Sequence, residues 1–404
     1  MGPVFLVVGD TARNPARSGI QTVVRSLAGA FGKMRAPVRL VLWNARLSTV
    51  RPLPPELSVG EDADPLRDRP DRWPRDLWTQ PLAWPRWLLS GLRGKFVPIH
   101  RHPLYRRAPA GAWVLMPELM YKGRAKLLVD YVHWHGWRLA VVLHDTIPVD
   151  HPEFVPEALP SQHAGYLRAF AEADLILPTS EFCADGWKGF CERENRKSPP
   201  VHICRLACDL AGVPRVSAPK DPDPTQAEVR ILCVSTLEPR KNHRMLLAAF
   251  ELAVRARPDL RLDLAGATYK DAPDLEAEVR EAARTLPGLR WHGQASHDEL
   301  RALYAGCDFT VYPSLLEGFG LPVIESLWFG RPCVCANFGV MAENAAGGGC
   351  LTADVRDPQA LADAILTLAG DHDLRRRLAA EAVTRPLKTW DEYAREILGC
   401  LAAQ

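Results

Sequence analysis

Two glutamates, Glu317 and Glu325, stand eight residues apart in the stretch YPSLLEGFGLPVIESLW at 312–328, around the run Gly318-Phe319-Gly320-Leu321-Pro322. Upstream, Asp308-Phe-Thr-Val-Tyr312 has the make-up of a buried strand, and downstream Val323 to Phe329 reads as a helix ended by Gly330. The glycines therefore fall in a strand-to-helix turn. Pro322 suits the first helical turn, where its missing N–H costs nothing. Unpaired backbone N–H groups and the positive end of the helix dipole face the turn, a ready anion site. A carboxylate beside a bound anion is unfavourable unless it accepts hydrogen bonds from something neutral and rich in hydroxyls. Sugar hydroxyls, on a hexose and on a ribose, meet that need. The alternative is that Glu317 is a solvated loop charge and Glu325 a first-turn partner of the dipole.

A second group of residues suits the same ligand. Ser235-Thr-Leu-Glu-Pro-Arg-Lys-Asn242 follows an apolar run and precedes an amphipathic pattern through Met245, Leu246, Ala249 and Phe250. Arg240 and Lys241 thus stand just before a helix N-terminus, where cations add to the attraction for a diphosphate and destabilise the helix if no anion is present. The alternative is an exposed basic loop. His144 and Asp145 end another apolar run, and His144 is either a site residue or a hydrogen-bonded packing residue.

The elements needed to position these turns are legible end to end. Apolar, β-branched runs alternate with helical patterns, the signature of parallel βαβ units. Strands are expected at 4–8, 38–43, 112–116, 139–143, 174–178 and 201–204, then at 230–235, 260–265, 289–292, 308–312 and 331–335. Ser296 and Glu299 form a capping box for a helix at 297–307 whose Leu300, Leu303, Tyr304 and Cys307 share one face. Periodicity is lost over 211–228, where proline and aspartate gather, so this segment reads as a linker. The expectation is an α/β protein with two doubly wound, Rossmann-like domains facing across a cleft: 1–210 with an insert at 51–110, and 229–385, followed by a helix at 386–404 that returns to the first domain. Ligands in such sheets bind at the carboxyl ends of the strands, where all the turns above lie.

Composition bounds the rest. With 404 residues, 47% apolar and 24% charged, the chain is ordinary for two globular domains, and no stretch reaches the roughly 18 apolar residues of a spanning helix. A cytoplasmic location is expected. A net charge of +2 implies no preference for nucleic acid. The ten cysteines include no CxxC pair, and neither Cys204 with Cys208 nor Cys183 with Cys191 has a second ligand pair at metal spacing, so no metal is expected. Asp-x-Asp occurs only in polar segments at 62–64, 221–223 and 371–373. Residues 67–107 hold Trp73, Trp78, Trp84 and Trp87 among ten Arg or Lys, which suits a membrane interface or a lipid-linked acceptor as well as a proline-rich loop packed on the first domain.

On these motifs the chain resembles the GT-B retaining glycosyltransferases of family 4, in particular the bacterial branch with mannosyl- and rhamnosyltransferases of polysaccharide assembly. The resemblance is carried by STLEPRKN (235–242), YPSLLEGFGLPVIES (312–326), VLHDTIPVDHPEFVP (142–156) and LILPTSEFCADGW (175–187), and more weakly by RSGIQTVVRSL (17–27). It implies a nucleotide-sugar donor, with GDP-mannose first and UDP- or dTDP-sugars as alternatives, and a saccharide or lipid-linked saccharide acceptor. The first domain would bind the acceptor and the second the donor. Glu317 would hold a donor-sugar hydroxyl and Glu325 the ribose, with Ser235, Thr236, Phe319, Gly320 and Leu321 at the donor. Arg240 and Lys241 would neutralise the diphosphate in place of a metal, so no cofactor is implied. Gly19 would approach the phosphates from across the cleft, and His144 and Asp145 would line the sugar and acceptor side. Ser18 and Ala207 depart from glycines common in the family. An epimerase or phosphorylase on the same scaffold, or a non-catalytic sugar-nucleotide-binding subunit, are the competing readings.

Overall fold

The computed structural model describes residues 2–9, 11–13, 19–44, 49–52, 111–209, 213–219, 227–269 and 272–404. The tryptophan-rich segment 67–107 and the Asp-x-Asp pairs at 62–64 and 221–223 lie outside the described residues, as does Ser18.

The first domain is built from β1 (Val4–Val7), α1 (Gly19–Lys33), β2 (Val38–Asn44), β3 (Thr49–Pro52), β4 (Trp113–Met116), α2 (Arg124–Trp134), β5 (Arg138–Leu143), α3 (Ile147–Asp150), α4 (Leu159–Phe170), β6 (Leu175–Pro178) and α5 (Glu181–Arg193). Its strands lie in the order β3-β2-β1-β4-β5-β6, parallel except for β3, which pairs antiparallel with β2. The second domain holds β7 (Val229–Val234), α6 (His243–Ala256), β8 (Leu260–Ala265), α7 (Pro273–Thr285), β9 (Leu289–Trp291), α8 (His297–Gly306), β10 (Phe309–Tyr312), α9 (Leu321–Trp328), β11 (Cys333–Ala336), α10 (Gly339–Ala345), β12 (Cys350–Ala353), α11 (Pro358–Gly370) and α12 (His372–Thr384), and α13 (Trp390–Ala403) follows it. Its strand order, β12-β11-β10-β7-β8-β9, is parallel throughout.

Counted within its own domain, each sheet runs 3-2-1-4-5-6. The first and fourth strands pair directly, and successive connections leave them in opposite directions. Their carboxyl ends therefore open a crevice at the point where the order reverses, the binding position in doubly wound sheets. In the second domain the crevice is flanked by the turns after β7 and β10, the two turns that carry Arg240-Lys241 and Glu317.

Strands covered by helices on both faces read as near-continuous apolar runs, and β1, β4, β6, β10 and β11 are buried along their whole length. The capping box at Ser296 and Glu299 forms, and a second one, Thr389 with Glu392, starts α13. Asp371 of the third Asp-x-Asp is the N-cap of α12, its carboxylate accepting from the Leu374 N–H at 2.8 Å.

Two strands were not expected. Thr49–Pro52 is a short antiparallel edge, and Cys350–Ala353 follows three glycines and is half-exposed. The strand expected at 201–204 is instead an extended edge segment. Its His202 and Cys204 N–H groups donate to Ile176 and Pro178 of β6, each at 2.9 Å, but only Val201 forms a bridge. Pro199 and Pro200, which have no N–H to give, precede it.

The final helix, α13, crosses back to lie on α1. Trp390, Tyr393, Ala394, Ile397 and Leu401 are buried in a core shared with Val23, Val24 and Leu27 of α1 and with Ile324 and Trp328 of α9. The Trp390 indole donates to the Asp209 carbonyl at 2.9 Å, and its backbone N–H to the Asp209 carboxylate at 2.8 Å. Among the described residues no helix is long and apolar enough to cross a membrane. Trp390→Ala removes a buried indole and its hydrogen bond to the Asp209 carbonyl, so it should destabilise the chain by about 3–5 kcal/mol in urea unfolding. A loss below about 1 kcal/mol would show that α13 is not held by this residue.

Candidate active site

Because β7 and β10 are hydrogen-bonded neighbours, the turns that follow them meet. The turn after β7 folds as a single 3-10 turn, Pro239–Lys241, and Asn242 then starts α6 with φ +63°. Asparagine tolerates the left-handed conformation better than most residues. Its amide also donates to Pro313 at 3.2 Å and to Val355 at 2.7 Å, fixing the basic pair against the turn after β10.

Glu317, which is buried, is the centre of what results. Its Oε1 accepts from Lys241 Nζ at 2.5 Å, Ser314 Oγ at 2.6 Å and Tyr312 OH at 2.8 Å, and its Oε2 accepts from Arg240 Nη1 at 2.9 Å. Burial works to raise the Glu317 carboxyl, but the Arg240 and Lys241 charges outweigh it and hold the group well below the ordinary carboxylate range. Lys241 is pulled down by its own burial and by the Arg240 charge beside it. Arg240 goes up: burial opposes its charge, and Glu317 and Glu238 overcome that.

The basic pair is thus not waiting for an anion, contrary to the expectation that it would destabilise its helix end alone. Glu238 pairs with Arg240 at 2.9 Å and Glu317 with both cations, so two carboxylates face two cations. Glu317 is correspondingly far from a solvated loop charge. Three donors crowd Oε1, which leaves Oε2, with its single donor among the described residues, as the oxygen with room for a further hydroxyl.

Glu325 sits differently. Half-buried on α9, its carboxylate accepts from Tyr304 OH at 3.0 Å, and burial raises it from the ordinary 4.5 to about 7 against that hydrogen bond.

The turn leading into α9 is pressed against the first domain. A Cβ at Gly318 would lie 1.9 Å from the His144 carbonyl oxygen, so only glycine fits there. Ser180 Oγ donates to the Gly318 carbonyl at 2.6 Å while capping α5, and Cys183 Sγ reaches the Gly318 and His144 carbonyls at 3.0 and 2.8 Å. Gly320, at φ +80°, is the N-cap of α9. Its neighbour Phe319 is buried, and the Phe319 carbonyl accepts from Asn344 at 2.5 Å. Gly19 opens α1, and a Cβ there would stand 4.0 Å from the Leu321 side chain. The N-termini of α1 and α9 therefore converge on one point from opposite domains, which brings two positive dipole ends together there.

Ser235, at the end of β7, bonds His243 Nε2 at 2.9 Å, and Thr236 beside it is half-buried. His144 is buried, its Nε2–H donating to the Pro117 carbonyl at 2.7 Å. Burial lowers its basicity and favours the neutral imidazole. Asp145 accepts from the Ile147 N–H at 3.2 Å, and a Cβ at Gly318 would also come within 3.1 Å of its β-carbon.

Some site residues had no signal in the turn motifs. Buried Glu118, after β4, accepts from the Thr11 N–H at 2.6 Å and ties the first domain's two switch-point loops together. Glu343 on α10 accepts from the N–H groups of Glu181 and Phe182, each at 3.2 Å, and pairs with Arg205. The Arg205 guanidinium also bonds Asn344 at 2.9 Å and stands 6.0 Å from the Phe319 ring. A polar residue within one helix gives no sign in sequence of capping a helix in another domain.

Residues 228–371 match the profile of the family described as Glycosyl transferases group 1. Over 257 residues, 61% of this chain, the chain is 28% identical to the O-antigen chain mannosyltransferase B of Escherichia coli, covering 65% of that protein. It is 30% identical over 241 residues, 57% of this chain, to the serotype-specific mannosyltransferase WbdA of the same species, covering 29% of it. The chain therefore spans less than two thirds of the length of either. Among solved structures, HepE of Anabaena in complex with UDP and glucose matches over the whole of both chains with a TM-score of 0.66 at 14% identity. A sucrose-phosphate synthase of Thermosynechococcus elongatus does so with a TM-score of 0.66 at 18% identity. The group 1 profile thus lies on the second domain, the mannosyltransferase relatives reach into the first, and the two-domain architecture is shared end to end, so the chain has the GT-B fold and is similar to glycosyl transferases of group 1.

Proposed function

We propose that the protein is a retaining glycosyltransferase that moves a hexosyl group, mannose from GDP-mannose, to a hydroxyl of a saccharide or lipid-linked saccharide in the assembly of a bacterial surface glycan. The observation that carries this reading is the buried Glu317–Arg240–Lys241 cluster set where the N-termini of α1 and α9 converge. The names of the relatives support the choice of mannose, and the turn chemistry supports a nucleotide diphosphate.

In this reading the diphosphate lies between the two helix N-termini, against Gly19, Gly320 and Leu321. Arg240 and Lys241 stabilise the charge that grows on it as the glycosidic bond breaks, with no divalent cation, an interaction stronger in the transition state than in the ground state. Oε2 of Glu317 accepts from a donor-sugar hydroxyl, and Glu325 accepts from the ribose. With Glu317 already engaged by four donors, its carboxylate is held as a fixed charge rather than as a nucleophile. The acceptor hydroxyl therefore attacks the face from which the diphosphate departs and passes its proton to the leaving oxygen. His144 and Asp145 line the acceptor side. The protein would act in the cytoplasm at the inner face of the membrane, and HepE's bound UDP makes UDP-sugars the competing donors.

Thermal unfolding with GDP, UDP, dTDP and ADP tests the donor base. At a hundredfold excess over Kd, the true nucleotide stabilises the chain by about 2.7 kcal/mol, and a larger shift with UDP or dTDP would remove GDP-mannose from the reading. Transfer should also persist in excess chelator, and activity lost there and restored by magnesium or manganese would show that the cations do not replace a metal.

The two glutamates should separate in both function and stability. Glu317→Gln leaves Lys241 and Arg240 partly uncompensated, so it should lower saturated turnover and the melting temperature together. Glu325→Gln should weaken nucleotide binding about ten- to a hundredfold, the value of a charged hydrogen bond. It should also stabilise the ligand-free protein at high pH. The Glu325 carboxyl is raised to about 7 on folding, so the folded state holds a proton that the unfolded state releases near 4.5. The wild type therefore loses stability as pH rises from about 4.5 to 7 at this position, and the glutamine variant does not. At pH 8 the variant should be more stable by on the order of 1–3 kcal/mol, and at pH 4 by almost nothing. A gap that does not change between the two pH values would show that Glu325 is ionised at both.

A further inference from the structure

The described cysteines are mostly buried singly or within one domain, but one pair joins segments almost two hundred residues apart. Cys204 lies in the extended segment beside β6, Cys400 lies on α13, and their sulfurs are 3.8 Å apart. Side chains two residues apart in extended chain share a face. His202 consequently stands on the same side as Cys204, and the ligating atoms of His202, Cys204 and Cys400 all lie within 4.8 Å of one another.

We propose that these three side chains form a site for a thiophilic divalent cation, zinc in particular, that fastens α13 to the edge of the first sheet.

Sulfur spacing, ligand type and access all fit that ion. A tetrahedral zinc 2.3 Å from each of two thiolates holds the sulfurs roughly 3.8 Å apart, whereas a disulfide needs about 2.05 Å. Two thiolates and an imidazole are a common zinc donor set. The position is reached from solvent through a surface cleft of about 300 Å³ lined by His202, Cys400 and Glu396. Glu396, one helical turn before Cys400 on α13, lines the same cleft.

Charge balances as well. Two thiolates offset the cation, histidine binds neutral, and the added charge of Glu396 is met by Lys388, which pairs with it. Zinc would displace both thiol protons, forming two Zn–S bonds and releasing two protons to solvent, with no change of oxidation state.

The place of the site gives it a structural role. It lies outside the crevice that holds Glu317 and Arg240, in the last turn of α13, where that helix rests on the edge of the first sheet. Lys388 also donates to the Arg205 carbonyl at 3.1 Å, so the same junction lies next to Arg205 and its contacts with Glu343 and Asn344.

Zinc content of the full-length chain, purified without chelator, tests this directly. Wild type should carry about one zinc per chain, and Cys400→Ser and His202→Asn should each carry less than about a tenth of that. His202 is exposed and Cys400 half-buried, so both variants should fold. After chelation, zinc added back should raise the melting temperature of the wild type and leave both variants unmoved, and it should protect two thiols from alkylation in the wild type alone. Equal zinc in wild type and variants, no zinc bound at micromolar concentration, or a Cys204–Cys400 disulfide in the isolated protein would each overturn the proposal.

Discussion

The buried ion cluster around Glu317 constrains everything placed near it. A carboxylate taken out of water is costly unless its charge is met and its lone pairs are filled. Here the compensation comes from two adjacent turns on hydrogen-bonded strands, with Tyr312 at the end of β10 and Ser314 just beyond it. The strand order makes this feasible: in a 3-2-1-4-5-6 sheet, the first and fourth strands are the only neighbours whose following loops diverge, leaving their ends open to a ligand. A register slip between β7 and β10 would part Lys241 from Glu317 and leave a buried charge unpaired.

The same constraint explains what could be read in advance. Fold class and the position of ten strands were legible because buried parallel strands are apolar on both faces and stand out from amphipathic helices. The two strands without that signal are the antiparallel edge at Thr49–Pro52 and the half-exposed Cys350–Ala353. The extended segment at 201–204 has the composition of a strand but only one bridge, because hydrogen bonding to a second neighbour is a fact of the fold and not of the segment. At the site, the turn residues were legible because glycine, proline and charge gathered in one strand-to-helix turn suit little besides the binding of an anion and its hydroxyl-bearing neighbours. Their pairing was not. Nothing in Glu238-Pro-Arg-Lys says that Arg240 will be met by Glu238 at one nitrogen and by Glu317 at another, and the local sequence favoured a pair of unsatisfied cations.

Long-range contacts were similarly hidden. Glu343 caps α5 across the domain junction, Asn344 holds the Phe319 carbonyl, and Glu118 bonds Thr11 from the next strand over. Each is a polar residue in an ordinary local setting. Together with the close approach of Gly318 to His144, they couple the donor-side turn to the first domain. Movement of one domain against the other would have to break the Ser180 and Cys183 contacts to Gly318, both of which rest on the N-terminal turn of α5. The turn that carries Glu317 is therefore held by both domains, although its residues belong to one.

The contrast between the two glutamates shows how the same residue type acquires two kinds of chemistry. Glu317 has four donors and two nearby cations, so its charge is set by the fold and is present whether or not a ligand is bound. Glu325 has Tyr304 as its hydrogen-bond donor and no cation pairing among the described residues, so burial leaves its proton finely balanced near neutral pH. A neutral hydroxyl donor arriving at Glu325 would supply the hydrogen bonding that the fold does not, stabilising the ionised form. At Glu317 an arriving hydroxyl would find most of the carboxylate occupied and could contribute to a single oxygen. Glu325 is thus electrostatically incomplete without a ligand and suited to binding. Glu317 is complete without one, and so is suited to holding a fixed charge where a reacting bond must be oriented.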